Sequence, residues 1–268
     1  MVIEVTELNF YPIKSCQGTA LDTADIALRG IKHDREWLIV DASTNNFITQ
    51  REIAKMCLVK PDLSEQGDEL RLSAPGMDTI KVPVTTTCGQ RRVTVWSKAC
   101  KADDQGDVAA KWLSKFLNVD CRLVRMSDDH KRQVDQRYAK RKTDQVGFAD
   151  DFPILLISEE SLVDLNTRLD DKLPMNRFRP NIVVKGCNAF DEDNWNTVKI
   201  GDLLFDVVKP CARCVITTID QTNANKGPEP LKTLAAYRNS RNRLLFGQNV
   251  VHHTSGKLRI GDALEIID

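Results

Sequence analysis

The first apolar run, Val2, Val5, Leu8 and Phe10, alternates and then clusters before Tyr11-Pro12, which predicts an extended first strand ending in a turn. Residues 36–41 (EWLIVD) predict a buried strand. Further short strands are expected at 54–60, 69–73, 79–84 and 91–96, separated by turns at Pro61, Gly67, Pro75-Gly76 and Gly89. Many short strands at this spacing imply a small barrel or sandwich. From Gly106 the period changes: Val108, Ala109, Trp112, Leu113, Phe116 and Leu117 make one apolar face and predict a helix over 105–118. This change, followed by the polar stretch 127–145, places a boundary between an N-terminal β-rich domain, 1–122, and a C-terminal domain, 123–268.

In the second half, residues 152–157 predict a strand, and Ser158 is placed to cap a helix carrying Leu162, Leu165 and Leu169 on one side and ending near Arg168. Strands are expected at 182–184 and 203–208, the latter stopped by a turn at Pro210. Every residue from Val215 to Ile219 is β-branched, so a strand is expected there too. The segments KIGDLL (199–204) and RIGDAL (259–264) each read as a hairpin around Gly-Asp. A helix opens at Pro230 with Leu231, Leu234, Ala235 and Tyr237 on one side. The fold class is mainly β with peripheral helices (α+β).

The 268 residues can bury a full core without disulfide staples. Thirty-eight basic and thirty-eight acidic side chains cancel, leaving no global field to recruit nucleic acid or an anionic membrane. No window approaches the ~20 apolar residues of a membrane span. The eight cysteines have no regular spacing and the N-terminus has no leader pattern, so a reducing, cytoplasmic setting is expected. The stretch 127–145 holds Lys131, Arg132, Arg137, Lys140, Arg141 and Lys142, but acids are mixed in, and it reads as a mobile, solvated loop.

The chemistry centres on KPCARCVITTID, residues 209–220. A zinc site would want a second cysteine pair, and the only adjacent histidines are His252 and His253. A thioredoxin-type dithiol needs a helix behind its first cysteine, which the β-branched run opposes. Two readings stay open: Cys214 as a soft thiolate holding a transition metal, with Lys209 and Arg213 favouring the ionised form, or both cysteines as small core residues. Elsewhere, Lys14-Ser15 follows the first strand and can hold an anion, and Arg177 and Arg179 stand at a strand entrance stiffened by Pro180.

Taken in order, YPIKSC, HDREW, FRPNIVV, KPCARCVITTID, EPLKTLAAYR and FGQN resemble the MOSC proteins, in particular the mitochondrial amidoxime-reducing components and bacterial YcbX-like proteins. The resemblance covers nearly the whole chain and implies an N-terminal β-barrel domain packed on a MOSC β-barrel, with a molybdenum cofactor (Mo-molybdopterin) between them. It implies Cys214 as the molybdenum ligand and catalytic centre, and Lys14, Ser15, Arg35, Arg179 and Asn181 as cofactor contacts. Lys and Arg suit the cofactor's phosphate and the Asn181 amide its polar pterin edge. Cys211 has no implied ligand role and is expected to pack in the core. No contacts carry over to Asp151 and Phe152, where the animal proteins have polar residues.

The implied activity is reduction of N-hydroxylated compounds such as hydroxylaminopurines or amidoximes, a detoxification. YcbX-like proteins carry a C-terminal ferredoxin domain that this sequence lacks, so electrons are expected from a separate flavoprotein or ferredoxin-type donor. The partners implied are that donor and the small-molecule substrate, with no nucleic acid and no membrane. The rival reading is a sulfur carrier with a persulfide on Cys214 and no molybdenum. A carrier has no use for a cradle of distant polar residues, which favours the oxidoreductase.

Overall fold

The computed structural model describes residues 2–267. Seven of the described strands close into a ring: Ile154–Ser158, Ile182–Lys185, Ile3–Phe10, Ala263–Ile266, Thr197–Ile200, Leu203–Ala212 and Arg243–His252, which returns to the first through Ile154 opposite Val250. Neighbours are antiparallel except Ile154–Ser158 against Ile182–Lys185. The ring encloses Val5, Leu8, Ile154, Leu156, Ile182, Val184, Val198, Ile200, Phe205 and Val250, all essentially removed from solvent. Closure gives every strand of the ring a partner on both sides. The first strand sits deep in a ring otherwise built from C-terminal residues, so the two ends of the chain are interleaved.

The remaining N-terminal residues form a four-stranded sheet (Trp37–Asp41, Cys121–Met126, Lys98–Asp104, Gln90–Val95) and a three-stranded one (Lys60–Leu63, Glu69–Ala74, Met77–Pro83). The helix Asp107–Leu117 packs between them, burying the apolar face expected from its periodicity: Ala109, Trp112, Leu113, Phe116 and Leu117. With Glu159–Asn166 and Leu231–Tyr237 it completes the α-helices of the described residues, so the mainly β class with peripheral helices holds. Ser158 caps Glu159–Asn166 by accepting from the Ser161 backbone N–H, as expected.

Five expectations are corrected. Residues 54–60 do not form a strand: Ala54–Leu58 is a 3-10 helix, entered through a turn in which Glu52 accepts from Thr49 N and Oγ1, and it buries Met56 and Cys57 together. The β-branched run is also not a strand. Val215–Thr218 is a 3-10 helix in which Thr217 Oγ1 donates to the Cys214 carbonyl at 2.9 Å and Thr218 Oγ1 to Val215 at 2.8 Å. Local hydroxyl-to-backbone bonding overrides strand propensity there. Pro210 stops nothing, since Leu203–Ala212 runs through it with a bulge.

Gly261-Asp262 is not a hairpin turn, because Gly256–Arg259 pairs with Thr23–Ala27 while Ala263–Ile266 pairs with the first strand. Gly261 N donates to Val5 O and Val5 N to Asp262 O, tying the crossover to the ring. Gly201-Asp202 does turn a hairpin. Finally, the 127–145 stretch is anchored: Val134 and Asp144 are buried, and buried Arg132 donates to the carbonyls of Gly147, Ala149 and Asp150, each at 2.6 Å.

Candidate functional site

One cleft, open to solvent and with a cavity of about 150 Å³, is lined by Lys14, Ser15, Arg35, Arg179, Asn181 and Cys214 together. These residues come from turns at the ends of ring strands and from the loop before Trp37–Asp41. Three of them, Ser15 (φ 67°), Arg35 (φ 46°) and Arg179 (φ 57°), have left-handed backbones although none is glycine. Such conformations cost about 1–3 kcal/mol each and persist where the surroundings enforce them. Around Arg35 the enforcement is visible: its N–H donates to Tyr11 O at 2.8 Å and its carbonyl accepts from Phe148 N at 2.7 Å. A side chain at Gly147 would put its Cβ 2.8 Å from that same carbonyl, so only glycine lets this loop close over Arg35.

Arg35 Nη1 donates to Asp34 Oδ2 at 2.5 Å and Asn181 Oδ1 at 2.9 Å, and Nη2 to Arg179 O at 3.3 Å. Asn181 spends its amide on the protein: Oδ1 also accepts from Leu155 N, and Nδ2 donates to Asn9 O and Asp34 Oδ1. It is therefore the strut that holds Arg35. The guanidiniums of Arg35 and Arg179 both lie over the Tyr11 ring, at 4.3 and 4.2 Å. Burial pushes the Tyr11 phenol up to about 12, against the pull of the two arginines, so it stays neutral and its hydroxyl donates to Pro180 O.

Arg179 is the unfinished group. Burial holds its pKa down, to about 10, and the nearby Arg35 charge adds to the strain, yet it remains a cation at neutral pH. Its Nη2 is buried with no hydrogen-bond partner. Arg213 repeats the pattern: Nη2 donates to Phe178 O at 2.6 Å and Nη1 to Cys211 Sγ at 2.9 Å, while Nε is buried and unpartnered. Buried donors are normally satisfied, and of the eight unpartnered buried side-chain atoms among the described residues these two belong to residues that line the cleft presenting Cys214.

Cys214 stands at the start of its 3-10 helix with an extended backbone, its carbonyl accepting from Thr217 N and Oγ1. Arg177 fixes that helix from below, donating to the carbonyls of Thr217 and Thr218. Cys211 is not a core residue as expected; it is partly exposed and lines the cleft, where the Arg213 guanidinium reaches it.

Several lining residues escaped the sequence reading. Asp150 accepts from Lys14 Nζ at 2.5 Å, from Trp96 Nε1 at 3.1 Å, and faces Arg51 Nη2 at 3.5 Å. The surrounding protein partly desolvates this half-exposed carboxyl, but Lys14 and Arg51 outweigh that and hold it well below the usual range. On Lys14 burial wins and the pKa is lowered despite Asp150. Arg51 Nη2 also donates to Cys214 Sγ at 3.4 Å. Asn249 lines the cleft too, as do Asp151 and Phe152, to which the resemblance carried no contacts over. Only Asn249, inside FGQN, had a motif to mark it.

The sequence matches the MOSC N-terminal beta barrel domain over residues 2–120 and the MOSC domain over 143–265. It is 36% identical to mitochondrial amidoxime-reducing component 1 of Mus musculus, covering 98% of this chain and 82% of that one. The chain belongs to the MOSC family. Mitochondrial amidoxime reducing component 2 of Bos taurus is 35% identical (96% of this chain, 81% of that one), and component 1 of Homo sapiens 34% (98% and 82%). The MOSC cleft takes Lys14, Ser15, Arg35 and Arg51 from the first matched region and Arg179, Asn181 and Cys214 from the second.

Proposed function

We propose that this MOSC protein is a molybdenum-cofactor oxidoreductase that reduces N-hydroxylated compounds, amidoximes or hydroxylaminopurines, with electrons from a separate flavoprotein or ferredoxin-type donor. The observation that carries the reading is the pair of buried, unpartnered guanidinium nitrogens, Arg179 Nη2 and Arg213 Nε, in the cleft that also presents Cys214. A phosphate-bearing, polar group with a thiophilic metal would satisfy them all. The names of the amidoxime-reducing relatives supply the substrate class.

In this reading Arg179, Lys14 and Ser15 bind the cofactor's anionic and polar edge, and Cys214 provides the thiolate ligand. Asn181 acts one step back, orienting Arg35 through the 2.9 Å bond. When bound, the molybdenum centre supplies the two-electron chemistry that removes the N-hydroxyl oxygen as water. The strained turns and the Lys14–Asp150 contact keep the cradle in one shape before the group arrives, so little ordering is left to binding. The expected cut of the chain into 1–122 and 123–268 passes through the strand Cys121–Met126 and does not follow the ring, which takes in Ile3–Phe10; the same reading sets the protein in a reducing compartment such as the cytoplasm, in keeping with eight unpaired thiols.

The test is an assay of cofactor-loaded protein with an aryl amidoxime and an artificial reductant. Amidine should form with the wild type and not with Cys214→Ala. Loaded protein that leaves amidoxime and hydroxylaminopurine untouched would overturn the activity, and sulfane sulfur on Cys214 in metal-free protein would favour the sulfur carrier.

A further inference from the structure

Arg51 belongs to none of the motifs, yet its guanidinium is held at two points and aimed at a third. It lies over the Trp96 indole at 4.8 Å, faces Asp150 Oδ2 at 3.5 Å through Nη2, and from the same nitrogen reaches Cys214 Sγ at 3.4 Å. Trp96 is itself fixed: its indole N–H donates to Asp150 Oδ1 and its ring meets Phe47 edge-on at 5.1 Å. The backbone beside Arg51 is fixed as well. Fully buried Gln50 donates to Ser15 O at 2.7 Å and exchanges amide hydrogen bonds with Gln221, just beyond the Cys214 helix.

This is more ordering than a surface arginine needs. A guanidinium pinned by an aromatic face and a carboxylate has surrendered its rotamer freedom before it meets the sulfur. Its hydrogen bond to Sγ is then part of the site's resting geometry.

We infer that Arg51 is a positioning residue for the metal centre: it donates to the Cys214 sulfur, fixes the direction in which that sulfur presents its lone pairs, and withdraws electron density from it. The inference rests on the oxidoreductase reading, since it needs Cys214 to be a ligand. Hydrogen bonds to ligating sulfur raise the reduction potential of the centre, and loss of a group that supports a ligand typically weakens metal binding ~10–100-fold. Arginine is suited to this place, because its planar fork can face a carboxylate and a sulfur while stacking on an indole. Lysine offers a point charge without the stacking plane.

The experiment uses holoprotein from cells that make the cofactor, comparing wild type, Arg51→Lys and Arg51→Met. Molybdenum per folded chain, the midpoint potential of the metal and its EPR g values are read alongside melting temperature. Arg51→Met, which keeps an apolar stem against Trp96, should retain metal about tenfold less well. Its remaining centre should titrate at a lower potential with shifted g values. Arg51→Lys should recover part of the potential. Arg51→Met with wild-type potential and g values, whatever its activity, would overturn the inference alone. Wild type with no molybdenum would overturn the oxidoreductase reading and this inference with it.

Discussion

Glu192 is buried and Arg179 half-buried, both are ionisable, and they differ in what they lack. Glu192 is fully enclosed, but its oxygens accept from Ser158 N, Ser158 Oγ and Ser161 Oγ at 2.8–3.2 Å, so burial raises its pKa without leaving it idle. Arg179 has a nitrogen with no acceptor at all. Burial of an ionisable group therefore does not mark a site by itself; Arg179 is set apart by an unsatisfied donor in the cleft that also presents Cys214. The first residue ties Asp191–Asn194 to the capped helix, and the second lines the cleft with a donor left over.

Substitution should separate the two roles. Arg179→Met removes a half-buried cation whose buried Nη2 the bare fold leaves uncompensated, so the metal-free protein should melt no lower than wild type, while cofactor retained per folded chain falls by up to ~100-fold. Metal analysis paired with calorimetry checks both halves. Glu192→Ala should do the reverse. Leaving Ser158 N–H without its acceptor in the interior should cost about 2 kcal/mol by denaturant titration, with cofactor per folded chain unchanged.

Lys14 lies between these cases, a buried ammonium whose carboxylate partner Asp150 is half-exposed. Asp150→Ala should cost about 1–2 kcal/mol, less than a fully buried pair because water reaches the site. The sign with pH follows from the depressed Asp150 value. Its stabilising contribution is fully present above the ordinary carboxylate pKa of 3.8 and is lost as pH falls through the lower folded value. The gap in melting temperature between wild type and Asp150→Ala should thus hold at neutral pH and shrink only in acid.

The sequence reading reached the cradle where the resemblance had motifs to carry it. Lys14, Ser15, Arg35, Arg179, Asn181 and Cys214, far apart in the chain, line one cleft. It did not reach Arg51 or Asp150. Both lie in loops without periodicity, and their partners, Cys214 and Lys14, are more than a hundred residues away in sequence. The helix Asp107–Leu117 was legible because its apolar face repeats at helical spacing. The run Val215–Thr218 misled because its two threonines bond back to local carbonyls, which composition does not reveal. Near-identical KIGDLL and RIGDAL fold differently because only the first joins strands that pair with each other; partner choice lies outside the hexapeptide.

The central claim is that Cys214 and the unfinished arginines hold a molybdenum cofactor, and elemental analysis of purified protein from cofactor-making cells tests it most directly. About one molybdenum per chain in the wild type, lost in a folded Cys214→Ala, is the predicted result. Folded wild-type protein with no molybdenum, or Cys214→Ala that keeps it, would contradict the claim.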